Sequence, residues 1–84
     1  MTADCLKKGI PALIISVSGE KPLKRRLESL GATAGAPMIL LRTAPFGDPL
    51  IFAVKDTRFA IRKADAKGIS VRYDKYNWTK RIFV

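Results

Sequence analysis

The chain alternates short β-branched apolar runs with polar breaks marked by glycine or proline, and one stretch of helical periodicity lies between the first two runs. From Ile10 to Val17, IPALIISV suits a pleated, half-buried strand, with Leu13, Ile15 and Val17 on one face and Ala12, Ile14 and Ser16 on the other. Leu23, Leu27 and Leu30 then recur at i, i+4 and i+7, while Lys24, Arg25, Glu28 and Ser29 point elsewhere. Pro22 fits the first helical position because its fixed φ and missing N–H cost nothing there, and Gly31 stands where a left-handed cap ends a helix. A helix of about nine residues is too short to be stable alone, so its leucine stripe must rest on the strands.

Met38 to Thr43 and Leu50 to Lys55 read as antiparallel mates. Between them, Ala44-Pro45-Phe46-Gly47-Asp48-Pro49 carries two prolines and a glycine that stop either strand from continuing. Asp56 and Thr57 turn the chain into a fourth strand, Arg58 to Ile61; KADAKG predicts one helical turn ended by Gly68, and Ile69 to Val71 a last short strand. At the start, Thr2 to Cys5 can form one helical turn, with Leu6 as its inward anchor and Gly9 as its breaker. The fold class that follows is mainly β with short helices, a small SH3-like β-barrel with a helix between strands 1 and 2. Residues 1–71 make the domain. Residues 72–84 make an extension in which Tyr73, Tyr76, Trp78, Ile82 and Phe83 stand among basic residues, and that much apolar surface is expected to pack on its own barrel or on a neighbouring copy.

At 84 residues the chain has room for one domain. Its 16 lysines and arginines against 7 acidic residues, a formal charge of +9, point to an acidic partner: a protein face, an anionic leaflet or nucleic acid. The basic residues are spread through almost every segment, and the densest run is Lys24-Arg25-Arg26. The single Cys5 excludes an internal disulfide and suits a reducing cytoplasm. No segment approaches the roughly 20 apolar residues of a membrane span, so work at a membrane would require recruitment.

Candidate chemistry is sparse. The chain has no histidine, its Asp48, Asp56 and Asp65 fall one per loop or turn, and Cys5 lacks an imidazole partner, so neither an acid–base pair nor an activated nucleophile is expected. No phosphate-cradling G-x-x-x-x-G-K-[ST] occurs. No cofactor and no metal cage are expected either; the nearest approach to a metal site would be Asp4, Cys5 or Glu20 shared across two copies.

Several motifs taken in order resemble the FeoA family: Arg26 and Leu27 on a helix ending Leu30-Gly31, then Gly35, the loop Ala44-Pro45-Phe46-Gly47-Asp48-Pro49, and Ile61-Arg62-Lys63 followed by Asp65 and Ala66. Leu6 with Gly9 resembles the family's N-terminal turn, and the likeness covers everything except the tail. Ala32, Pro37, Ile39 and Ile51 depart from the pattern. In the family register Met38 and Leu40 face inward, which would leave Ile39, Leu41, Ile51 and Ala53 as an apolar outer surface favouring oligomers.

The resemblance implies a cytoplasmic, non-enzymatic accessory of bacterial ferrous iron uptake. Such a protein binds the cytoplasmic domain of the GTP-dependent transporter and reaches the inner membrane through it. Partner contact is assigned to Lys24, Arg25 and Arg26 on the helix and to Phe46, Gly47 and Asp48 in the loop. Each has a plainer reading: a solvated helix face for the arginines, and turn chemistry for Asp48, its carboxylate capping loop amides. Two other classes stand beside this one. A small basic nucleic-acid-binding barrel could use Tyr73, Tyr76 and Trp78 for stacking, though the dispersed charge speaks against it. A self-assembling structural module would need no other partner.

Overall fold

The computed structural model describes residues 1–73, and the aromatic extension beyond Tyr73, with its expected packing, lies outside the described residues. A 3-10 turn at Ala3–Cys5 leads to β1 (Ala12–Val17), α1 (Lys21–Ser29), β2 (Pro37–Thr43), β3 (Leu50–Val54), β4 (Thr57–Ile61), the single turn α2 (Lys63–Ala66) and β5 (Ile69–Tyr73). Element type and order follow the hydrophobic pattern, with bounds shifting by one or two residues. The last strand continues through Arg72 and Tyr73.

All five strands form one antiparallel sheet in the order β4-β3-β2-β1-β5. Two irregularities bend it. β1 carries an extra residue, Ile15, against β5, and β2 carries Leu41 against β3. Such bulges sharpen the twist and let a small sheet curl over its own side chains. The bulge also sets which residues of β1 face inward. Ala12 and Ile14 are buried, and the extra residue shifts the parity so that Val17 packs against the core, while Ile15 is left 48% exposed. Neither face of the uninterrupted alternation is therefore the buried one.

The core gathers Ile14, Leu27, Met38, Phe52, Val54, Ile69 and Val71, each essentially inaccessible, with Phe52 and Phe59 paired across β3 and β4 at 6.2 Å between ring centroids. Met38 and Leu40 point inward as the register requires. The outer apolar surface is smaller than expected: Ile39, Leu41 and Ile51 are half-buried and Ala53 is only 5% exposed, opposite Ile39 and Arg58.

Helix α1 rests on the sheet through Leu27, with Leu23 and Leu30 half-buried beside it. Burying the Leu27 side chain contributes about 2 kcal/mol, which is what a helix this short lacks by itself. Its end is a Schellman motif: Gly31 takes φ +88°, its N–H donates to the Glu28 carbonyl (3.0 Å), and the Ala32 N–H donates to that of Leu27 (2.8 Å). Buried Ala32 completes the motif's apolar contact. Gly68 works differently. A Cβ there would meet the Ser18 carbonyl oxygen at 2.6 Å, because the chain entering β5 passes close to the end of β1.

Candidate partner-binding surface

Consecutive helix residues diverge by about 100°, so Lys24, Arg25 and Arg26 cannot present one face. Lys24 lines a shallow groove of about 270 Å³ with Ile15, Val17 and Glu28, whereas Arg26 lines a separate groove of about 510 Å³ between the start of α1 and α2, with Glu20 and Asp65. Arg25 is exposed. Arg26 is also bonded: its guanidinium donates to the Ala60 carbonyl on β4 at 3.2 Å, tying the helix to the sheet.

The loop between β2 and β3 closes through Gly47 N–H to the Ala44 carbonyl (2.8 Å) and Ala44 N–H to that of Pro49 (3.0 Å). Pro45 presets the turn, Gly47 takes φ +88°, and Phe46 between them is 100% exposed.

Asp48 caps an amide outside its own loop, which corrects the plainer reading given above. Its Oδ1 accepts the Lys63 N–H at 2.9 Å, the first amide of α2, where Arg62 stands at the cap position and offers no acceptor. The carboxylate thus acts as an N-cap supplied from 15 residues away. Arg26 and Asp48 therefore fasten the helix and the loop to one stretch, Ala60 to Lys63. This stretch overlaps the Ile61-Arg62-Lys63 motif and escaped assignment because it looked like a strand end followed by a turn. Tyr73 has a structural partner too: its hydroxyl accepts the Lys7 N–H at 2.9 Å.

Among the described residues there is no group of histidine, cysteine, aspartate or glutamate side chains able to hold a metal ion, Cys5 is free and exposed, and no helix is long and apolar enough to cross a membrane. A five-stranded antiparallel sheet with one short helix, an exposed aromatic loop and dispersed cations defines a small SH3-like domain.

The chain belongs to the FeoA family, associated with ferrous iron transport; the FeoA domain model matches residues 1–73. The solution structure of FeoA from Chlorobium tepidum is 35% identical, with a TM-score of 0.84 over 92% of this chain and 76% of that one. FeoA of Stenotrophomonas maltophilia, a crystal structure complexed with zinc and described as a prokaryotic SH3 domain protein, is 33% identical, with a TM-score of 0.74 over 84% of this chain and 88% of that one. A Fe(2+) transport protein A/Fe(2+) transporter FeoB fusion protein of Porphyromonas gingivalis is 28% identical over 74 residues, which are 88% of this chain but 9% of the fusion.

Proposed function

We propose that this protein is a non-catalytic accessory of ferrous iron uptake that binds the cytoplasmic part of the GTP-dependent membrane transporter and biases its activity or assembly. The observation that carries this reading is the fusion relative, in which a domain like this one shares a chain with the transporter. A tether holds two domains at an effective concentration in the millimolar range, whereas a separate chain must supply the affinity itself. Phe46, wholly exposed on a stiff turn, and the cations Lys24 and Arg25 provide anchor and attraction. The charge of +9 adds a pull toward the anionic cytoplasmic leaflet where the transporter sits. No bond is made or broken. The module acts by binding one state of the transporter more tightly than another, and it shifts the balance only by that difference.

The test is a pull-down of the transporter's soluble GTPase portion. The native chain recovers it, and Phe46→Ala or Lys24→Glu with Arg25→Glu reduces recovery at least about tenfold, the loss expected of a central anchor. Equal recovery by all variants removes these residues as the contact, and no recovery by the native chain removes the partner. Arg26 is left intact because its bond to Ala60 would confound the result.

A further inference from the structure

A five-stranded sheet has two edges, and here they are finished differently. Along β5, the Val71 N–H donates to the Met1 carbonyl at 2.8 Å and Thr2 bridges Ser70, so the N-terminal residues cover that edge. Along β4 no such cover occurs among the described residues. The hairpin from β3 to β4 turns on Lys55 and Asp56 and pairs Val54 with Thr57, and from there bonded and non-bonded pairs alternate. Arg58 and Ala60 therefore point their backbone groups away from β3. Of these, the Ala60 carbonyl takes the Arg26 guanidinium, and the Arg58 N–H, the Arg58 carbonyl and the Ala60 N–H have no partner among the described residues.

Natural edges are commonly spoiled by bulges, prolines or charges. The pairing of β4 with β3 runs unbroken from Val54↔Thr57 to Leu50↔Ile61 with no proline in β4, while the bulges sit in the interior strands β1 and β2. Charge is present, and all of one sign along the edge: Arg58 on β4, Arg62 just beyond it and Arg26 across it. With Lys55 and Lys63 the cations of this region number five against the three aspartates nearby, so its balance stays positive. Asp56 lies in the hairpin turn, Asp48 is held by the Lys63 amide and Asp65 lies in α2.

We propose that the β4 edge accepts an extended acidic peptide segment of a partner protein as an added strand. Its backbone pairs with Arg58 and Ala60, and its carboxylates lie beside Arg58 and Arg62. A peptide N–H reaching Ala60 takes over that carbonyl and releases the Arg26 guanidinium to a peptide carboxylate, so helix α1 senses occupancy. A second copy of this chain is disfavoured, because two such edges would set arginines against arginines. The proposal does not depend on the identity of the partner.

The experiment titrates the full chain, labelled with nitrogen-15, with a terminally blocked peptide alternating glutamate and valine, and in parallel with its lysine-for-glutamate counterpart. The acidic peptide should shift the Arg58 and Ala60 amides and slow their exchange at least about tenfold, one backbone bond's worth, while the lysine peptide does neither. Arg58→Pro deletes an outward N–H at an edge position where proline is tolerated, and should keep the native spectrum but weaken binding about tenfold. Arg58→Gln retains the backbone donor and should weaken binding less, with a shallower salt dependence. Shifts centred on another face, equal response to both peptides, or edge shifts that follow protein concentration without peptide would each overturn the proposal. So would displacement of the acidic peptide from these amides by a single-stranded oligonucleotide. If Arg58→Pro fails to fold, the two-peptide comparison on the native chain decides alone.

Discussion

The two edges of the sheet show how a chain this small divides its backbone between stability and contact. At β5 the pairing is completed internally: Met1 and Thr2 lie along it, Tyr73 is fastened to the Lys7 amide, and Ser18 donates both its N–H and its hydroxyl to the Gly68 carbonyl (2.8 and 3.0 Å). At β4 a single guanidinium reaches across, and the rest of the outward backbone has no partner among the described residues. The covered edge joins chain segments far apart in sequence, so exposing it would unpick the barrel. The open edge belongs to a local hairpin that keeps its register without outside help. Stability is thus concentrated on one side and availability on the other.

Amide exchange would break this comparison most sharply. Although both lie in strands, the Arg58 amide should exchange at least about 10³-fold faster than that of buried Val71, which is released only when the Met1–Thr2 segment detaches or the barrel opens. Matching rates would mean that β4 is covered too. A smaller effect is expected at the close approach on the β5 side. Gly68→Ala sets a Cβ 2.6 Å from the Ser18 carbonyl oxygen, forces β5 off β1 and should lower stability by about 1–3 kcal/mol, read as a reduced denaturant midpoint. An unchanged midpoint would show that this junction yields freely. The smallest effect lies at the turn that launches β4. Lys55 holds φ +54°, a region costly for any residue with a Cβ, and Lys55→Gly should gain about 0.5–1 kcal/mol. A loss instead would show that the Lys55 side chain steadies the hairpin.

The order of strands and helices was legible because each break carries its own chemistry, such as Gly31 at the end of α1 and the two prolines flanking Phe46. The inward face of β1 was not, since one inserted residue at Ile15 reverses which positions point to the core, and nothing in an apolar run marks where the insertion falls. The outer surface of β2 and β3 was misjudged for a related reason: an alternating pattern states which way a side chain points but not how far its neighbours cover it, as Ala53 illustrates. Within the candidate surface, the tight turn that carries Phe46 was legible from the proline and glycine on either side of it. The bonds of Arg26 to Ala60 and of Asp48 to Lys63 were invisible, because each joins residues that only the folded sheet brings together.

Those two bonds have a mechanical consequence. Helix and aromatic loop are moored at neighbouring points on one short rail, Ala60 to Lys63, so a displacement of that rail is passed to both.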